Sequence, residues 1–209
     1  MTGISDRIRP VRRLAWLAGL AAALFAPRPA AADCPGAANI LTNCGFAADL
    51  SGWSTSGSGT FGTFAHDATD GSTSPAGSLE GTMGDGGAGS GFLEFFQCVV
   101  SPAAATYNFG INMRVVSGSA PTGGCNVVMN SYTNASCTAG QSFLSFVNLA
   151  PNGSWQLALK TGVSISSVAA VDLNVTCFGT GGVGTVLRFD NAFLGVGLTP
   201  VTLQRFETR

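Results

Sequence analysis

Asn39-Ile-Leu-Thr-Asn-Cys-Gly-Phe-Ala-Ala-Asp-Leu-Ser-Gly-Trp53 is the stretch whose reading decides the fold. Ile40 and Leu41 are β-prone, Asn43 to Gly45 is turn chemistry, and Asp49 to Gly52 is a second turn that delivers Trp53 to the next strand. A short apolar segment, a tight turn and a large aromatic ring waiting to be covered are the parts of an antiparallel sheet. The stretch is read as an opening strand, and the strands downstream of it have to bury Trp53.

Beyond Trp53, short apolar segments recur between clusters of Gly, Ser, Asn and Pro with no sustained helical period, which predicts about ten strands and a sandwich or barrel. The clearest alternation is Tyr107, Phe109, Ile111, Met113 and Val115 on one face, with Asn108, Gly110, Asn112 and Arg114 on the other. Phe92 to Val100, Asn126 to Tyr132, Ser142 to Leu149 and Val186 to Leu194 are further strands. Trp155, Leu157 and Leu159 share a face, as do Val171, Leu173, Val175 and Cys177. Val201 to Phe206 is expected to add an edge strand or lie across the domain.

Ahead of Asn39 the chain has the composition of a leader. Arg7, Arg9, Arg12 and Arg13 precede an apolar run of 12 residues, Leu14 to Phe25, and Ala30-Ala31-Ala32 supplies small residues for cleavage. The run is shorter than the roughly 20 residues a membrane span needs. Residues 1–32 are therefore expected to be a signal peptide. Residues 33–209 are read as one β-sandwich domain with a short tail from about 199, and the protein as secreted, extracellular or periplasmic.

Five of the ten basic residues and one of the eleven acids fall in the leader, so the remainder carries five basic and ten acidic residues. Nucleic acid is excluded as a partner on this reading, because it demands clustered Lys and Arg. All six cysteines lie beyond the leader, and an even number in an exported chain favours disulfides. Zinc is the competing reading, but there is no Cys-x-x-Cys and only one histidine. Of the possible pairings, Cys34 with Cys44, Cys125 with Cys137 and Cys98 with Cys177 are expected.

The opening Asn39 to Trp53, Gln97-Cys98-Val99 followed by Thr106-Tyr107, Ser154-Trp155-Gln156, and Arg188-Phe189-Asp190-Asn191-Ala192-Phe193-Leu194 occur in that order. Together they resemble the carbohydrate-binding-module family of the bacterial glucanase cellulose-binding type, a galactose-binding-like jelly roll. The resemblance spans roughly residues 39–194. It implies two packed antiparallel sheets with the first and last strands side by side, and sugar bound in a groove on one sheet or at the loops. It also implies a structural calcium held by acids of the opening turn and the closing motif. Gly45 and Ala47 stand where such acids are common, which leaves Asp190 as the one candidate ligand, its other reading being a hydrogen-bond anchor. No other cofactor is expected.

Sugar recognition needs a flat aromatic face together with amides or carboxylates for the hydroxyls. Trp53 and Trp155 are read as core. Tyr132 and Asn130, at the end of a polar strand, and Asn112 and Arg114, opposite the core face of the central strand, are the candidate ligand-binding residues; an exposed loop and a solvated face are the alternatives. Catalysis has little to draw on: His66 is the only histidine, no Gly-x-Ser-x-Gly is present, and Glu80, Glu94, Asp85 and Asp172 imply no paired cleft. The sequence thus predicts a secreted non-catalytic module for a polysaccharide or glycan, with a structural or adhesive envelope protein that binds other proteins as the alternative.

Overall fold

The computed structural model describes Cys34 and residues 38–55, 62–73 and 76–197; the expected leader and tail lie outside the described residues. Among the described residues there are eleven strands: β1 Ser54–Thr55, β2 Thr63–Asp67, β3 Ser78–Thr82, β4 Gly84–Asp85, β5 Ser90–Val100, β6 Ala105–Ser117, β7 Cys125–Tyr132, β8 Ser142–Leu149, β9 Gln156–Ile165, β10 Ala170–Thr180 and β11 Val186–Val196. No helix occurs among the described residues. A six-stranded sheet runs β1-β5-β10-β7-β8 with β4 also on β5, and a five-stranded sheet runs β2-β3-β11-β6-β9. Every pairing is antiparallel. The all-β jelly-roll expectation is met.

Side-chain alternation builds the core between the sheets. Tyr107, Phe109, Ile111 and Met113 of β6 are buried against Leu93 and Phe95 of β5 and Val171, Leu173 and Val175 of β10. Phe95 sits at the centre, its ring 4.8 Å from Phe189 and 5.5 Å from Trp53. Burial of a side chain of that size is worth roughly 1.5–3 kcal/mol, so this ring cluster is a main source of cohesion between the sheets.

The opening stretch is not a strand. Asn43 and Phe46 take positive φ of 48° and 46°, which interrupts any ladder. What remains is one isolated antiparallel bridge, Asn39 to Gly195, with Ile40 N–H donating to Leu194 O at 2.8 Å and Ala192 N–H to Cys44 O at 2.9 Å. The segment still clasps β11, as the resemblance implied. On its other side the Gln97 side chain substitutes for a strand: its Oε1 accepts from Thr42 N–H at 2.7 Å and its Nε2 donates to Thr42 O at 2.9 Å. This explains a glutamine that is only 3% exposed. Trp53 is buried and donates from Nε1 to Asn43 O.

Disulfides join Cys34 to Cys44, Cys98 to Cys137 and Cys125 to Cys177. The first agrees with expectation and the other two correct it. Cys98 is opposite Asp172 in the β5–β10 ladder and shares that residue's outward side, whereas Cys177 points into the core, so the expected Cys98–Cys177 bond is excluded by both register and face. Cys177 instead lies directly across from Cys125 on β7, with Cα atoms 4.0 Å apart. Cys137, in the turn after β7, folds back over the outer surface to reach Cys98.

Candidate functional site

Because β5, β10, β7 and β8 lie side by side, every second residue of each faces away from the core, and the register sets them in rows. Phe92 is opposite Phe178; Glu94 is opposite Thr176, which is opposite Asn126 and then Asn148; Phe96 is opposite Asn174, then Val128 and Phe146. Rows along a strand are about 6.6–6.8 Å apart and strands about 4.8 Å, so this outer face is a platform roughly 14 Å wide.

At one end of the platform Phe92 and Phe178 floor a cavity of about 380 Å³ whose rim includes Ser90, Thr122 and Thr180. Glycine permits the close wall: a Cβ on Gly123 would run into the Phe178 ring. In the middle, Asn174 Nδ2 donates to Glu94 Oε1 at 2.9 Å and Thr176 Oγ1 to Asn174 Oδ1 at 2.8 Å. Asn148 Nδ2 donates to Asn126 Oδ1 at 2.8 Å. On the edge strand, Phe143 and Phe146 are 61% and 49% exposed with ring centroids 6.0 Å apart. Exposed aromatics of this size at neighbouring positions are uncommon unless something covers them. The platform can therefore stack flat apolar faces at two places and hydrogen-bond polar groups between them.

Tyr132 and Asn130 belong to the far end of the same face but are buried. The Tyr132 hydroxyl donates to Asp172 Oδ2 at 2.6 Å, and Asn130 Nδ2 donates to Asp172 Oδ1 at 2.9 Å. Burial raises the Asp172 carboxyl above its ordinary range despite these donors, and burial together with the Asp172 charge raises the Tyr132 phenol. Tyr132, 8% exposed with its hydroxyl engaged, presents no platform to a ligand. The two residues anchor β7 to β10 beneath a loop that the Cys98–Cys137 bond ties down.

Asn112 and Arg114 lie on the outer face of the other sheet, so the four expected residues do not converge on one site. Asn112 Nδ2 donates to Ser72 Oγ at 3.1 Å, and Arg114 pairs with Asp70 while its guanidinium stands 5.2 Å from the Trp155 ring centroid. Trp155 is thus half-buried outside the sandwich and not in the core as expected. Arg188, next to Arg114 in the ladder, pairs with Asp67, Asp70 and Glu80. That face is occupied by the β2–β3 connection and its ion pairs.

The calcium reading of Asp190 can be tested on its neighbours. Oδ2 accepts from Ser72 N–H at 2.6 Å and Ser72 Oγ at 2.8 Å, and Oδ1 accepts from Asn191 N–H at 2.6 Å. Donors, not acceptors, surround the carboxylate, and among the described residues no group of three or more His, Cys, Asp or Glu is arranged to hold a metal ion. Calcium needs 6–8 oxygen ligands, so this set does not fit it. Asp190 anchors the Ser72 turn to β11, its carboxyl raised chiefly by burial. His66 is structural as well, its Nε2 2.6 Å from Phe46 O.

The fold is an antiparallel jelly-roll sandwich similar to that of solved carbohydrate-binding modules. A family 16 carbohydrate-binding module superposes with a TM-score of 0.54 at 13% identity, covering 75% of this chain and 99% of the module. A family 61 module solved in complex with beta-1,4-galactotriose gives 0.51 at 17% identity, over 75% and 97% of the two chains. The C-terminal family 22 module of Clostridium thermocellum Xyn10B gives 0.51 at 14%, over 78% and 97%. No protein-family model and no curated protein sequence matches the chain.

Proposed function

We propose that this protein is a secreted, non-catalytic module that binds a polysaccharide or glycan on the outer face of the six-stranded sheet. The observation that carries the reading is the pairing on one face of four outward phenylalanines, Phe92, Phe178, Phe143 and Phe146, with a strip of fixed amides, a carboxylate and hydroxyls. Pyranose rings offer apolar faces to stack on the phenyl groups and hydroxyls to bond the strip. Three modules of the same fold cover nearly their whole length with this chain, one of them holding a galactotriose. Export is supported by six cysteines all joined in disulfides, the state favoured outside the cytosol.

Affinity electrophoresis in gels containing soluble β-glucan, xylan or galactan tests the reading. Wild type is expected to be retarded by at least one polymer, and Phe178→Ala and Phe146→Ala each to weaken retardation about tenfold, the equivalent of about 1.4 kcal/mol. Free migration of the wild type in every gel refutes it. One observation favours a protein partner instead: β8 is an edge strand with no charged residue, and its unpaired backbone suits strand addition. On that reading a Phe143→Lys change abolishes association with the partner while no polysaccharide is bound at all.

A further inference from the structure

Two exposed phenyl rings stand at opposite corners of the platform, and the register fixes the distance between them. Phe178 of β10 is 37% exposed and Phe146 of β8 is 49% exposed. Phe146 is opposite Val128 of β7, which is opposite Asn174 of β10. Phe178 is four residues beyond Asn174, on the same outward side of that strand. Four residues at about 3.3 Å each and two strand spacings of about 4.8 Å set the two positions about 16 Å apart on a diagonal. Phe143 continues away from Phe178 along the edge strand, opposite Asn130, with its ring centroid 6.0 Å from that of Phe146.

Asn126 occupies the midpoint of that diagonal. It lies on β7, the strand between those of Phe178 and Phe146, opposite Thr176 and two residues from Val128. Asn148 Nδ2 donates to Asn126 Oδ1 at 2.8 Å and to Gly123 O at 3.0 Å, which holds the two amides in place. An amide has both donor and acceptor atoms and so suits hydroxyl groups, and a side chain already held loses little freedom when a ligand arrives. One ring alone reads a single sugar, whereas two rings in line with a fixed amide read a chain.

Along an extended β-linked chain one pyranose ring advances by about a third of this 16 Å separation, so rings stacked on Phe178 and Phe146 are the first and fourth of a run, and Phe143 meets the fifth. We propose that the face recognises a linear, extended run of about four to five sugar units laid diagonally across β10, β7 and β8, and not a single sugar. The cavity beside Phe178 receives the ring at that end, and Asn126 meets the units in the middle. The inference rests on the glycan-binding reading above and adds the length and path of the bound segment.

The test is isothermal titration calorimetry with β-1,4-linked gluco-, xylo- and galacto-oligosaccharides from the disaccharide to the hexasaccharide. In the series that binds, wild-type affinity is expected to rise about tenfold from trisaccharide to tetrasaccharide, the gain of a second stacked ring, and to change little beyond the pentasaccharide. Phe178→Ala and Phe146→Ala should each remove that step. Each should cost the hexasaccharide about tenfold and the trisaccharide about threefold at most, because a trisaccharide reaches one of the two rings and keeps the other place to bind. The wild-type series decides by itself if a variant does not fold. Affinity already complete at the disaccharide or trisaccharide, or variants that weaken trisaccharide and hexasaccharide alike, overturns the proposal while leaving glycan binding intact. Retardation in a polysaccharide gel with no binding of the hexasaccharide does the same. No heat from any oligosaccharide together with free migration in every gel overturns both.

Discussion

Replacing Arg188 with methionine isolates what the ion pairs on the five-stranded sheet contribute. Arg188 Nε and Nη2 donate to Glu80 Oε2 at 3.0 and 2.8 Å, and the same guanidinium pairs with Asp67 and Asp70. Methionine keeps much of the stem but leaves three carboxylates facing one another, with Arg114, on Asp70, the one other cation among the described residues that pairs with them. Breaking a fully buried pair from one side costs about 3–5 kcal/mol, and these side chains are 15–30% exposed, which discounts the loss to roughly 2–3 kcal/mol near neutral pH. The sign with pH is set by the groups involved. Asp67 is held below its ordinary range, first by Thr69 donors and then by Arg188, so its contribution exists above that range and fades as pH falls through the lowered value. The wild type therefore loses the benefit of Arg188 in acid and the variant has none to lose. Urea unfolding followed by Trp53 emission should show a gap of roughly 2–3 kcal/mol at about pH 7 that shrinks by half or more at about pH 3, below the ordinary carboxylate range. An equal gap at both pH values refutes the electrostatic account and assigns the loss to packing of the arginine stem. Polysaccharide retention of the folded variant should match wild type, because Arg188 and the proposed binding face are on opposite sheets.

The Asp172 carboxyl is raised by burial, so the native state holds more protons than the unfolded chain between the ordinary aspartate range and the raised value, and stability falls as pH rises through that window. Asp172→Asn, which can still bond Asn130 and Tyr132, should remove that decline; a wild-type-minus-variant difference that is flat across acid and neutral pH would contradict it. Gly110→Ala should cost roughly 1–3 kcal/mol in the same unfolding assay, because a Cβ there meets the Ala158 carbonyl and comes within 2.8 Å of the Phe193 ring. An unchanged midpoint would mean that β6 and β9 shift apart more readily than their pairing suggests.

Period-two alternation makes the core strands legible. Tyr107 to Met113 reads as one buried face in the sequence and is one in the structure, and the clasp between Asn39 and the end of the Arg188–Leu194 segment is what the family resemblance implies. The disulfides are not legible in full, because pairing depends on which side of a strand each cysteine faces. Cys98 and Cys177 look like a long-range pair until the register places them on opposite sides of their sheet. Asn112 and Arg114 do lie on an outward face, but the sequence does not say that a loop carrying Asp70 and Ser72 folds over it.

The residues of the candidate face escape a sequence reading for a reason that belongs to binding itself. Alternation reports a strand when one side is apolar and the other polar, yet β5 places Leu93 and Phe95 inward and Phe92 and Phe96 outward, so its apolar residues do not mark one face. β8, with Phe143 and Phe146 outward, has the same ambiguity, and neither strand shows from the sequence which of its sides faces solvent. Tyr132 draws attention because it stands among amides, yet it and Asn130 satisfy a buried carboxylate, Asp172, that the sequence places 40 residues beyond Tyr132, while Asn134 caps its own loop. A polar cluster in a strand is thus weaker grounds for a site than an apolar residue on the wrong side of one. Placing hydrophobic rings where solvent should be violates local pattern rules, and such violations persist in folded proteins mainly where a ligand or partner covers them. In this chain the strands that break the alternation, β5 and β8, are the strands that bear the candidate face.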